Sequence, residues 1–245
     1  MKKKQSIKIK NMIFFTHYKN DVRQVFRDPV MGILIFAPFL MIALFKIIFF
    51  FLPPFLISRL SFDISPFYQY ILSGIIVMIS GMMGIVTGFL MIDERDGNIS
   101  ELISVTPLGK SGYLINRLSF AALPSLVYSI AAILFLDFVS VPKLNIVIIS
   151  ILSSIYSAVI GLLIYSGADN KVKGLTFAKG LNSLSLFAFS DLFALAWLTI
   201  ISWAFPPYWV TMVIKNPQST PVALIAIAIH LVWLLTLIFR YLKSR

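Results

Sequence analysis

Apolar residues run through this chain in stretches long enough to cross a hydrocarbon layer. Spanning about 30 Å at 1.5 Å per residue takes roughly 20 residues. On that scale six stretches stand out: 31–56, 70–92, 118–136, 144–166, 184–205 and 222–239. The predicted fold class is all-α: a membrane protein of six transmembrane helices forming one domain over residues 1–245. Ahead of the first stretch, Phe15, Tyr18, Val22, Val25 and Phe26 recur at helical spacing. Lys19, Arg23 and Arg27 recur every four residues on another face. This predicts an amphipathic interfacial helix over residues 1–29. Asp28-Pro29 ends it, because the residue before a proline disfavours the α region. Such a helix serves either as an anchor on anionic lipid or as an elbow that moves in a transport cycle.

Composition narrows the class. Only 13% of side chains are charged and 59% are hydrophobic, where soluble domains carry about 25% charged residues. With a mean hydropathy of +0.91, a water-soluble enzyme of 245 residues could not cover its own surface. The net charge of +11 would suit a nucleic-acid surface, but its distribution points elsewhere. Of the 21 Lys and Arg, 17 fall in the N-terminal stretch, the second and fourth connections and the tail, three in the other connections, and Lys46 in the first stretch. That asymmetry is the positive-inside signal. It predicts a multi-pass membrane protein with both termini cytoplasmic, contacting lipid and no nucleic acid. The absence of cysteine removes disulfide and thiolate chemistry. The two histidines have no partner at ligand spacing, so no metal site is expected.

The connection from Asp93 to Arg117 holds four of the ten acids. Asn98 and Glu101 have the spacing of a capping box that opens a helix at Ile99. Ile99, Leu102 and Ile103 then form one apolar face, and Thr106-Pro107 closes the helix. Two turns are marginal alone in water, so the face needs a groove in the lipid interface or on a partner. Gly109-Lys110-Ser111 is similar to the end of a phosphate-binding loop. Ser104 stands where that motif needs glycine, Pro107 interrupts it, and no strand precedes it.

An acid-Glu94-Arg95 run followed by Gly97, Glu101-Leu102, Thr106-Pro107-Leu108 and Lys110 resembles the ABC type-2 exporter permeases. The six stretches, the N-terminal amphipathic helix and the cytoplasmic termini extend the resemblance over nearly the whole chain. It implies a coupling helix docking on a cytoplasmic ABC ATPase dimer, built here from Glu94, Arg95, Gly97, Asn98, Ile99, Glu101, Leu102, Ile103, Thr106 and Pro107. It also implies a second permease subunit, homo- or heterodimeric. ATP and Mg would belong to the ATPase, leaving this chain a transport subunit without catalytic residues or a cofactor of its own. Small bacterial exporters of drugs and antimicrobial peptides are the most similar members, so the implied cargo is an amphipathic or apolar drug, peptide or lipid.

Ionisable groups inside spans often mark function, which makes Asp191, Lys46 and His230 candidates for a translocation pathway. Counting residues puts Asp191 about 10 Å from the cytoplasmic side and Lys46 in the outer half, too far apart to pair directly. Gly81, Gly84 and Gly88 have spacing for close helix packing. Pro206, Pro207, Tyr208 and Trp209 read as an outer loop, either a simple aromatic anchor or, in the resembled family, a short re-entrant helix. Two other classes stay open. An intramembrane protease or lipid transferase would need an acid–base set at bilayer depth, and an accessory or immunity protein would only bind a partner.

Overall fold

The computed structural model describes residues 21–104, 106 and 109–243. Residues 1–20 of the predicted interfacial helix, together with Pro107 and Leu108, lie outside the described residues. Residues 21–27 are helical. The chain breaks at Asp28, whose backbone is extended and whose carboxylate accepts from the amides of Val30 (2.9 Å) and Met31 (3.1 Å). Pro29 then occupies the first helical position, where a missing N–H costs nothing.

The helices that follow are α1 (Pro29–Leu60), α2 (Tyr68–Asp96), α3 (Ile99–Ser104), α4 (Gly109–Leu136), α5 (Lys143–Gly167) and α6 (Lys171–Asn182). A 3-10 segment (Ser183–Phe193) continues from α6, followed by α7 (Ala196–Ser202), α8 (Pro206–Lys215) and α9 (Thr220–Lys243). Five of these, α1, α2, α4, α5 and α9, are long and apolar enough to cross a membrane. They outrun the predicted stretches because charged residues extend each helix past the hydrocarbon layer.

Helix α2 is the centre of the bundle and is buried along most of its length, while α1 and α9 leave most of their surface open. Its contact with α5 is backbone-close. A Cβ on Gly84 would stand 2.6 Å from both Ile160 Cβ and the Ser157 carbonyl, and one on Gly88 would stand 2.8 Å from Ile164 Cβ. Gly81 faces Asn182 of α6 instead. One polar layer crosses this apolar core. Ser80 of α2, Ser125 and Ser129 of α4 and Ser153 of α5 share hydroxyl hydrogen bonds of 2.6–2.9 Å, which meets the need of buried hydroxyls for partners.

Where the sequence predicts a fifth span, at 184–205, the chain holds most of the 3-10 segment, α7 and the turn into α8. Gly174 packs on Ile92 and Phe89 of α2, Asn182 lies beside Gly81, Phe189 covers Gly74, and Tyr70 donates to Asp191 (3.3 Å). Residues 171–193 thus run antiparallel along α2 from Ile92 to Tyr70, about 33 Å of helix, which is enough to cross. Its α6 part carries Lys171, Lys173 and Lys179, and the apolar run continues past residue 193 into α7. Asp191 lies beside Tyr70, at the end of the bundle opposite to the one its residue count predicts.

Helices α7 and α8 meet at 106° as a hairpin folded back into the bundle. At its turn Phe205 stacks on Phe187 (4.2 Å) and Trp233 donates to the Ala204 carbonyl (2.8 Å). Trp233 is thirteen residues along α9 from Thr220, so the turn lies about 20 Å from that end. Pro206, Pro207, Tyr208 and Trp209, read from sequence as an outer element that is either a simple aromatic anchor or a short re-entrant helix, are the buried first turn of α8. Trp209 donates to the Trp203 carbonyl (2.7 Å), so its indole closes the hairpin and does not anchor an interface.

Candidate functional site

Among the described residues, most ion pairs lie at the basic end of the bundle, where α2 gives way to the acid-rich connection. Tyr113 and Arg117 are four residues apart on α4 and share a face. Arg117 lies between Asp21 and Glu94 and forms an ion pair with each. All three are 1–3% exposed. Tyr113 donates to the second oxygen of Glu94 (2.8 Å), and the Arg117 guanidinium lies 5.4 Å from the Tyr113 ring. Isolated charges this deep would cost several kcal/mol each. Here each carboxylate meets the guanidinium, and Glu94 gains the phenol as well. The cluster ties residues 21–27 to both flanks of the acid-rich connection.

Two further contacts lock the same end. Arg95 donates to the carbonyls of Tyr165 (3.2 Å) and Ala168 (2.7 Å), a cation at the C-terminus of α5 where unpaired carbonyls collect. Lys171 bridges Asp28 and Asp93. Burial alone would raise the Asp28 carboxyl. The hydrogen bond from Lys171 and those from the Met31 and Val30 amides outweigh it and hold the group below its ordinary value.

Between these fixed flanks stands α3. It begins at Ile99, the position the capping spacing predicts. Asn98 enters it from left-handed backbone (φ 56°) and not from the extended conformation of an N-cap. Gly97 and Asn98 instead form the turn that ends α2, with the Gly97 amide on the Asp93 carbonyl (3.0 Å) and that of Asn98 on Arg95 (3.0 Å). Thr106 closes the helix through its hydroxyl on the Ile103 carbonyl (2.6 Å). The predicted apolar face divides. Ile103 turns into the bundle, while Ile99 and Leu102 are exposed, Leu102 by 66%. Glu101 lies on the open side. Glu94, read from sequence as part of a docking surface, faces inward, and its contacts are with Arg117 and Tyr113.

The three intramembrane candidates lie apart. At the end opposite the basic one, Lys215 of α8 pairs with Asp191 and donates to the Tyr70 hydroxyl (2.8 Å). These contacts join the hairpin, the 3-10 segment and α2. Lys46 donates to the carbonyl of Leu136, the last residue of α4 (3.2 Å). His230 is fully buried on α9, its Nδ1 2.7 Å from the Ala226 carbonyl and its ring against Tyr156. Lys46 and Asp191 do not meet, although both lie toward the end opposite the basic one, so the depth difference counted from the sequence is not what separates them.

Sequence reasoning missed Asp21, Tyr113, Arg117, Tyr70 and Lys215. The i, i+4 pairing of Tyr113 with Arg117, next to four clustered acids, was the available signal for the first three. Nothing local marked the Tyr70 and Lys215 pairing, which depends on the fold.

Residues 21–239 match the family described as Fluoroquinolones export permease protein Rv2686c-like. Among curated proteins, the chain is 27% identical over 202 residues to the fluoroquinolones export permease proteins MT2760 and Rv2686c of Mycobacterium tuberculosis (strains CDC 1551 / Oshkosh and ATCC 25618 / H37Rv). The alignment covers 78% of this chain and 77% of each relative. No solved structure matches it. The family match begins at Asp21, the first member of the Arg117 cluster, and ends within the last turns of α9. A multi-pass helical membrane chain matched over that range belongs to the Rv2686c-like family of export permeases.

Proposed function

We propose that this permease is the membrane subunit of an ATP-driven exporter, with α3 as the element that a separate cytoplasmic ATPase engages. The observation that carries the proposal is the pairing of exposed apolar residues with rigid flanks. Ile99 and Leu102 project from a two-turn helix, while Glu94 on one side and Arg117 on the other are locked into a single buried cluster. Exposed apolar side chains on a short helix suit a groove on a partner. Rigid flanks make a push on that helix reach α2, α4 and residues 21–27 together.

The basic end faces the cytoplasm in this proposal, in keeping with the positive-inside charge count. Two permease subunits pair through the open apolar surfaces of the bundle, each served by one ATPase. ATP and Mg reside on the ATPase. The cargo is an amphipathic aromatic compound of the fluoroquinolone kind, the class in the names of the relatives.

The test is Ile99→Ala combined with Leu102→Ala. Both side chains are exposed, so insertion and thermal stability of the permease should be unchanged. Co-purification of the ATPase should weaken roughly tenfold or more, the scale for losing apolar anchors from an interface, and drug efflux should fall with it. Normal ATPase capture and normal efflux by the double variant would overturn the proposal.

A further inference from the structure

At the basic end, a groove of about 600 Å³ runs along one side of α6. Lys173 and Thr176 are its polar members, and Phe177, Leu184, Gly167 and Gly180 contribute to its apolar lining. Two glycines shape it. Gly167 lets the Phe177 ring lie flat against the end of α5, where a Cβ would stand 2.5 Å from the ring. Gly180 leaves the groove empty above it, since a Cβ built there meets nothing within 4 Å.

We infer that this groove holds one acyl chain of an anionic phospholipid, with the headgroup phosphate at the Lys173 ammonium. The proposal does not depend on what the permease exports.

Length, level and charge carry the assignment. From Lys173 to Leu184 the segment rises about 17 Å, nine steps of α-helix and two of 3-10 helix. One leaflet of a hydrocarbon core about 30 Å thick measures roughly 15 Å. The groove starts at the right level, because Gly174 packs on Ile92 and Lys171 pairs with Asp93, both at the basic end of α2. It ends in apolar residues and stays open along its side, where a Cβ on Gly180 would meet nothing within 4 Å. A compact drug would leave much of its surface uncovered there, whereas an acyl chain has the bilayer to cover its other side. Basic pockets between helices at a membrane surface recruit anionic headgroups. Lys173 now pairs with Asp169 four residues earlier (2.7 Å). That carboxylate is highly exposed, so solvent screens the pair and a phosphate can displace it.

The experiment is native mass spectrometry of the full chain released from nanodiscs of equal parts phosphatidylglycerol and phosphatidylcholine with matched acyl chains. The natural chain should retain phosphatidylglycerol in several-fold excess. Gly180→Leu projects a side chain into the groove from a position whose Cβ meets nothing within 4 Å and should abolish that retention. Lys173→Gln should reduce the headgroup preference several-fold while leaving the groove open. Equal retention of the two lipids would overturn the assignment. So would undiminished phosphatidylglycerol on the Gly180→Leu chain, or a Gly180→Leu effect on oligomeric state with lipid retention unchanged. The helix of that variant is checked by circular dichroism, and Gly180→Ala, which leaves the groove mostly open, should keep its lipid.

Discussion

Arg117 pairs with two buried carboxylates, so its loss would leave Asp21 and Glu94 facing each other without that counter-ion. Breaking a buried charge cluster by removing one partner costs about 3–5 kcal/mol. Arg117→Leu should therefore unfold at a markedly lower temperature in detergent, measured by intrinsic tryptophan fluorescence, and an unchanged midpoint would show that the cluster is not worth its burial. Glycines offer a contrast. Gly84→Val drives a side chain into Ile160 and the Ser157 carbonyl, and overpacking of that kind costs about 1–3 kcal/mol. Gly180→Ala meets open space and should gain about 0.5–1 kcal/mol from lower backbone entropy in the unfolded chain. The two variants, compared in one thermal assay, should shift in opposite directions. At this scale the sequence is only half legible. Spacing picked out Gly84 and Gly88, but which neighbouring helix each would meet depends on the packing of the whole bundle. Glu94 shows the same limit from the other side, since a carboxylate in a polar connection looks solvated until an arginine twenty-three residues later folds over it.

Elements were more legible than residues. Long apolar runs announced α1, α2, α4, α5 and α9, because nothing but a helix hides that many backbone groups in lipid. The break at Asp28-Pro29 was equally plain. Its stability should depend on pH. Contacts with Lys171 and two backbone amides keep the Asp28 carboxyl below its ordinary value of 3.8. The stabilisation they supply is full above that value and is lost as pH falls through the lower, folded one. Pepsin cleavage around residues 21–32 should accordingly stay slow at pH 4 and accelerate only at more acid pH. Asp28→Asn should be cut readily already at pH 4, and equal rates for the two chains would exclude this role for the carboxylate. Hydropathy failed where an element mixes signals. Segment 171–193 runs the length of α2 with three lysines in its first half, and the apolar residues after it belong to the α7–α8 hairpin.

At the scale of the whole molecule, charge asymmetry predicts which loops share a side, and the fold groups them accordingly. Tyr165 approaches Tyr241 at the basic end (5.6 Å), while Tyr68 meets Phe138 at the other (5.2 Å). The chain has no cysteine, so a single introduced one is a unique reporter of topology. Asp169→Cys should react with a membrane-impermeant maleimide only after the cytoplasmic face is exposed. With the basic end cytoplasmic, as proposed, Phe193→Cys should react in intact cells, because it follows Asp191 at the opposite end of the bundle. A crossing at 184–205 would leave position 193 in mid-bilayer and unreactive.

Eleven residues after α6 are wound as a 3-10 helix, which rises about 0.5 Å more per residue than an α-helix. Over the nine residues that end at Asp191 the excess is about 4.5 Å, most of one α-helical turn. That surplus is what brings Asp191 level with Tyr70 and within reach of Lys215. Rewound as α-helix, the same residues would draw the carboxylate most of a turn away from its ammonium. The ion pair at the far end is in this sense a gauge of length: it closes only while the crossing is stretched.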